Sequence, residues 1–315
     1  MPLLRKIGFP FTSLATLAVA ALSSFACDMG ESSEAASTGG FSSTTGGTTS
    51  AGGAQNGGAQ NSGGTTNTGG SAGPSNFGTP TQSGSGTSAD RWAKSAVTRN
   101  GVNYFFMANG WGPGFTSQSV SWLGTSFTVA SMQGKQGPSY EPASYPTLFC
   151  GVYSDSASGE CGLPKALTAI TSLKTGWRWK PNGNNGQYNA SYDIWLSNSA
   201  SVSGQTAFLM VWLRDPPGQQ PAGSVRMSNL QVSNVPGEWN LWVGTVGGKP
   251  YVAYVRAEGR DSYELEFDVM DFVRDASSRS VSLPGTQILS VAVGFEIWNG
   301  PITNLVSEDF YVEPH

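Results

Sequence analysis

TAFLMVWLRDPPGQQPAGS, residues 206–224, is the stretch on which the reading of the fold depends. Its first half alternates with the two-residue period of a β-strand. Ala207, Leu209, Val211 and Leu213 fall on one side, and Phe208, Met210, Trp212 and Arg214 on the other. The aliphatic side suits a dry core between two sheets. The second side offers a phenyl ring, a thioether, an indole and a guanidinium, which suits the floor of a groove. A pyranose fits such a floor, because it presents C–H faces to rings and hydroxyls to polar neighbours. Pro216-Pro217-Gly218 then ends the strand, since proline removes a donor and fixes φ.

Outward from this strand, residues 90–315 are the size of one larger all-β domain. Aromatic, Val- and Thr-rich runs are punctuated by Asn100-Gly101, Asn182-Gly183, Gly247-Gly248 and Asn299-Gly300. Gly247-Gly248 separates Trp239–Val246 from Tyr251–Arg256 and reads as a hairpin turn. One short helix is expected around Met270–Ala276. The predicted fold is all-β: a two-sheet β-sandwich of jelly-roll, concanavalin-like type with that single helix.

The N-terminus reads as an export signal, residues 1–27, with Arg5 and Lys6 ahead of the apolar Phe9–Phe25 run. Ala26-Cys27 has the form of a lipoprotein cleavage site with Cys27 lipidated; ordinary signal cleavage is the other reading. Residues 28–89 are a Gly/Ser/Thr/Asn-rich linker with almost nothing to bury, expected to be disordered. The protein is therefore expected outside the cytoplasm, as an envelope lipoprotein or an extracellular protein, meeting a membrane only through Cys27. Removing Cys27 from the three cysteines leaves Cys150 and Cys161, an even pair expected to close a disulfide loop.

Several kinds of chemistry drop out. The formal net charge is −4 and no basic cluster occurs, which argues against nucleic acid. The sole histidine, His315, is the last residue of the sequence, so neither a zinc site nor His-dependent nucleophilic catalysis is expected, and no metal or cofactor is assigned. Any reaction would rest on carboxylates. The stretch Leu289–Trp298, LSVAVGFEIW, reads as the last strand. Ser290, Ala292, Gly294, Glu296 and Trp298 share one face, so small positions clear a channel in which Glu296 stands beside an indole. Apolar surroundings raise a carboxyl's pKa and suit a general acid. Asp193 and Trp195 share a face of a second strand, and Asp193 is the other candidate, open also to a purely structural role. Glu264, Glu266 and Asp268 read as a solvated strand face.

These motifs together resemble glycoside hydrolase family 12, the endo-β-1,4-glucanases and xyloglucanases. Leu209-Met210-Val211-Trp212-Leu213 with Gln220-Pro221-Ala222-Gly223-Ser224 is similar to the family's nucleophile strand and its following loop. Gly294-Phe295-Glu296-Ile297-Trp298-Asn299-Gly300 resembles its acid/base motif, and Ala190-Ser191-Tyr192-Asp193-Ile194-Trp195 the strand whose aspartate tunes the nucleophile. Asn109-Gly110-Trp111-Gly112 resembles a sugar-stacking motif, and Ser144-Tyr145-Pro146, Trp177-Arg178-Trp179, Trp239-Asn240-Leu241-Trp242 and Met270-Asp271-Phe272 also have counterparts. The resemblance covers most of Asn103–Val312. It implies a monomer acting on β-glucan, with Glu296 and Asp193 as catalytic candidates and Asn109, Trp111, Phe208, Met210, Trp212 and Trp298 lining the substrate groove. Trp177 and Trp179 are left as structural.

The resemblance also carries one departure: the family's nucleophilic glutamate falls on Phe208. A retaining pair needs carboxyls about 5–5.5 Å apart, whereas a water-mediated pair needs roughly 6.5–9.5 Å. Three expectations follow. The protein is a glucan hydrolase with Glu296 as acid and Asp193 as base or replacement nucleophile; or it is a silent glucan binder; or it is an envelope surface protein with a relic cleft.

Overall fold

A computed structural model describes residues 77–315, except Asn185 and Glu258. Cys27, the export signal and residues 28–76 of the expected linker lie outside the described residues; residues 78–89 lie within them, and Gln82–Ser83 and Ser85–Ser88 are short strands. The larger sheet runs in the order Gln82–Ser83, Lys94–Arg99, Val102–Met107, Thr147–Tyr153, Gln287–Gly294, Ala190–Ser197, Gln205–Arg214, Lys249–Arg256, Val235–Val246 and Ser224–Val232. The second sheet runs Glu264–Asp268, Leu173–Lys180, Ile302–Pro314, Ser126–Gly134, Phe115–Leu123 and Ser85–Ser88. Pairing is antiparallel except between Gln205–Arg214 and Lys249–Arg256, which run parallel. The turn at Gly247-Gly248 joins Val235–Val246 to Lys249–Arg256 as an antiparallel hairpin.

The alternation in residues 206–214 divides as its chemistry demands. Ala207, Leu209, Val211 and Leu213 enter the core between the sheets, while Phe208, Met210 and Trp212 form a separate cluster on the opposite face. Phe295 fills the middle of the core, its ring 5.4 Å from Trp177 and 5.6 Å from Phe127. Trp177 and Trp179 are fully buried there. The helix spans Val269–Ser278; the Asp268 carboxylate caps it by accepting from Met270 N at 2.9 Å. Phe272 carries the helix onto Trp239, Tyr254 and Phe267. Asp268 is thus a cap, whereas Glu264 on the same strand is exposed.

Two ties hold the sandwich at its margins. Cys150 and Cys161 form the expected disulfide. Arg99, 5% exposed, donates to both oxygens of Asp309, 2% exposed, across the two sheets, and to the Phe77 carbonyl at 2.8 Å. Thr125 Oγ1 gives the Asp309 carboxylate a further hydrogen bond at 2.7 Å, so this buried ion pair is closely satisfied.

The structure corrects the reading of Leu289–Trp298 as one final strand. The strand ends at Gly294; Ile297–Asn299 pairs with Gln187–Tyr188, and Ile302–Pro314 follows in the other sheet. Phe295 N donates to the Pro146 carbonyl and Glu296 N to the Asn189 side chain, so the ladder is interrupted at the glutamate. Leu289 also changes face. A register shift opposite Trp195/Leu196 turns it into the Phe208 cluster and sends Ile288 into the core.

Candidate functional site

The outer face of the larger sheet is built in rows, each strand contributing one residue. The central row reads Phe149, Ala292, Asp193, Met210, Ala253 and Trp242. With about 4.8 Å between strands, Trp242 lies roughly 14 Å from Asp193 across the sheet. One neighbouring row reads Ser290, Trp195, Phe208 and Tyr251, and the other Gly294, Ser191, Trp212 and Val255. Beyond Gly294 the chain leaves the pleat, and Glu296 stands at the end of the floor. Gly294 is required here, because a Cβ would collide with the Pro146 carbonyl that closes over it.

Glu296 is half-buried and held by one residue through three hydrogen bonds. Asn189, itself fully buried, donates through Nδ2 to Glu296 Oε2 and accepts from Glu296 N at 3.0 Å. Asn189 N also donates to the Glu296 carbonyl at 3.0 Å, and Ser191 Oγ donates to Asn189 Oδ1 at 3.1 Å. Burial pushes the Glu296 carboxyl up to about 8; the Asn189 amide opposes this and the charge of Asp193 adds to it.

Asp193 is 7% exposed. Tyr153 Oη donates to its Oδ2 at 2.9 Å and Trp195 Nε1 to the same oxygen at 3.1 Å. Burial pushes this carboxyl up to about 6, against the pull of those two donors. Among the described residues, Asp193 Oδ1 has no hydrogen-bond partner, and the same holds for Trp212 Nε1 and Ser290 Oγ. Three buried unpaired polar atoms on one face of one sheet are unusual, since native interiors leave few such groups. Phe208 stacks on Trp195 with centroids 4.5 Å apart and meets Tyr251 at 4.7 Å, a block of three rings beside Asp193.

The other expected groove residues separate by depth. Met210, Trp212 and Trp298 are at most 6% exposed. Trp298 lies 5.8 Å from Trp212 and donates its indole N–H to the Tyr140 carbonyl. Asn109 and Trp111 are half-buried at the Glu296 end, where Asn109 O accepts from Tyr145 N at 2.9 Å. Toward the far edge, a groove of about 830 Å³ is lined by Arg214, Gln220, Asn240, Trp242, Asp261 and Tyr263 among others. Arg214 is fixed over the Tyr188 ring and lies 3.6 Å from Asp261. Side-chain amides of Gln136, Gln187, Gln219 and Asn299 link the loop after Arg214 to the loop after Gly134.

Tyr153, Asn189, Ser191 and Ser290 were not singled out from sequence as site residues. Tyr153 had a usable signal: Thr147, Phe149, Gly151 and Tyr153 alternate on one face of their strand. Asn189 had none, because its partner is 107 residues away.

No groups of three or more His, Cys, Asp or Glu side chains suited to a metal occur among the described residues. No described helix is long and apolar enough to cross a membrane.

A two-sheet jelly roll with an aromatic floor and two carboxyls, one buried and one half-buried, on one face defines a class, the β-sandwich glycoside hydrolases. The chain belongs to glycosyl hydrolase family 12, whose family model matches residues 103–313. It is similar to a probable xyloglucan-specific endo-beta-1,4-glucanase A of Aspergillus terreus, 27% identical over 150 residues, covering 47% of this chain and 58% of that protein. The chain thus spans less than two thirds of that relative's length. Among solved structures it resembles the endo-1,4-beta-glucanase CelB2, a cellulase, with TM-score 0.63 and 28% identity over 73% of this chain and 99% of that one. It also resembles endoglucanase Cel12A from Rhodothermus marinus, with TM-score 0.62 and 25% identity over 73% and 99% of the two chains.

Proposed function

We propose that this protein is an exported, monomeric hydrolase of β-1,4-glucans, cutting internal glycosidic bonds in polysaccharide breakdown, with Glu296 as general acid and Asp193 as the second carboxylate. The observation that carries this reading is the pair itself. Both carboxyls face one aromatic-floored cleft, and their environments hold Glu296 near 8 and Asp193 near 6. Near neutral pH the first is mostly protonated and the second mostly ionised, the division of labour that acid–base cleavage requires. Trp111 and Asn109 would bind sugar at one end of the cleft, with Phe208, Met210, Trp212 and Trp298 beneath the chain. The family supports a β-glucan substrate, and the names of the relatives point to cellulose-like glucan and xyloglucan. Lipidation at Cys27 is part of the proposal for how the protein is held outside the cytoplasm.

One observation favours a second reading, a glucan binder without turnover. By the resemblance of its strand the family's nucleophile position falls on Phe208, and the Phe208 ring is stacked on Trp195. The two are separated by release of reducing ends from mixed-linkage β-glucan and xyloglucan, using wild type, Glu296→Gln and Phe208→Glu. Activity in wild type that is lost in Glu296→Gln supports hydrolysis. A silent wild type with an active Phe208→Glu variant supports the binder. Silence from all three, with no retention on a glucan affinity gel, overturns both.

A further inference from the structure

The groove near Arg214 leaves the cleft to one side. The central row of the floor passes from Asp193 through Met210 and Ala253 to Trp242, which is also a lining residue of the groove. From Trp242 the groove runs along the strands. Asn240 lies one row over, opposite Val255 and in line with Trp212, and Arg214 lies one row further. Each row is two residues along a strand, about 6.7 Å, so the groove reaches roughly 13 Å from the line that joins Asp193 to Trp242. Its volume of about 830 Å³ is that of a site able to enclose a small molecule, about 300–1,000 Å³.

The walls of the groove are held from behind. Trp242 packs against the floor cluster of Phe208, Met210 and Trp212. Tyr263 is 50% exposed, yet its ring meets the buried Trp179 edge-on at 5.0 Å and its carbonyl accepts from Trp179 N at 2.9 Å. A ring fixed along one edge and open to solvent elsewhere loses little freedom when a ligand covers it. The facing loop is tied down by Gln219 Nε2 donating to Gln136 Oε1 and by Gln187 Nε2 donating to the Pro217 carbonyl. Between the two rings lie the hydroxyl of Ser228 and the amides of Asn240 and Gln220. The charged lining residues are Arg214, Asp215 and Asp261, two carboxylates against one guanidinium, and Arg214 sits 3.6 Å from Asp261. This lining disfavours an acidic ligand. Rings together with hydroxyl and amide partners suit a neutral sugar.

We infer that this groove binds a neutral sugar branch carried by the glucan chain in the cleft, so that the protein selects branched over linear β-1,4-glucan, with Tyr263 as the ring on which the branch stacks. The inference rests on the β-glucan reading above and names the substrate class within it. The hydroxymethyl group of each glucosyl unit projects from the side of the main chain, and a sugar borne there leaves the cleft in the direction the groove takes.

The test is titration calorimetry on the full chain carrying Glu296→Gln, so that binding is read without turnover. The ligands are linear cello-oligosaccharides and xylosyl-branched oligosaccharides of equal backbone length. The branched ligand should bind about tenfold tighter, the effect of covering roughly 60 Å² of ring. Adding Tyr263→Ala should cut that ratio to below about threefold. Ser228→Trp is the second variant; Ser228 is exposed on the edge strand, and a bulky ring there fills the groove while leaving the core alone. It should cut the ratio in the same way. Equal binding of the two ligands overturns the inference and leaves the β-glucan reading standing. So does a ratio unmoved by both variants, or a loss shared equally by both ligands. Failure to bind either ligand overturns the β-glucan reading and this inference together.

Discussion

Replacing Asn189 by alanine removes the amide that holds Glu296, and the direction of each consequence follows from the bonds lost. The Nδ2–H donor favours the charged carboxylate, so its removal raises a proton affinity already lifted from 4.5 to about 8. A hydrogen bond to a charged group contributes about 1.5–3 kcal/mol, and one pKa unit is about 1.4 kcal/mol, so Glu296 should move up by roughly one to two units. The Glu296 backbone N–H also loses its acceptor, Asn189 Oδ1. A buried donor left unpaired costs about 1–3 kcal/mol, which lowers Tm by roughly 2–12 °C in a domain of this size. Stability should respond to pH as well. The folded state holds this proton more tightly than the unfolded chain, so the contribution of Glu296 is fully present below pH 4.5 and is lost as pH rises through about 8. In Asn189→Ala the loss should continue to higher pH, whereas Glu296→Gln should abolish it. Carbon-13 titration of the Glu296 carboxyl and Tm measured from pH 4 to 10 read both effects. A Glu296 carboxyl that stays at its wild-type value or moves down in Asn189→Ala would refute the reasoning.

Two further outcomes test other parts of the molecule. Asp309→Ala strands the Arg99 guanidinium in the core and should cost about 3–5 kcal/mol, seen as a Tm lower by roughly 6–20 °C in thermal unfolding; a shift under 2 °C would mean the pair contributes little. Trp242→Ala removes a half-buried ring from the groove near Arg214; with about 60 Å² of ring face covered by sugar, glucan affinity should fall about tenfold by titration calorimetry, with Tm nearly unchanged.

The strand at residues 206–214 was readable because its two faces differ in chemistry and both are buried, so period-two alternation marked each side. The same rule failed at Leu289–Trp298, where alternation continues past the point at which the ladder stops. Phe295 remains in the core and Trp298 in the floor cluster, so the sequence pattern carries no trace of the break between them. What breaks the strand is the capture of Glu296 by Asn189 and of Phe295 N by Pro146, contacts made by distant segments. Leu289 departs from strict alternation for a related reason: a register shift is a property of two strands, not of one. Glu296 and Asp193 stood out because carboxyls amid apolar strands are rare, while Tyr153 and Asn189, which oppose the effect of burial on them, look ordinary until the fold brings them close.

The Arg99 tie also has a mechanical meaning. Phe77, 1% exposed, is gripped through its carbonyl by Arg99, through its ring edge by Tyr311, and by Arg178 stacked on its face. Any pull on the chain ahead of residue 77 reaches the domain first at this grip. The tension then passes through Arg99 into Asp309, on a strand of the opposite sheet, rather than into the short Gln82–Ser83 edge strand that follows. The sandwich is thus braced across both sheets at the point where the described chain enters it.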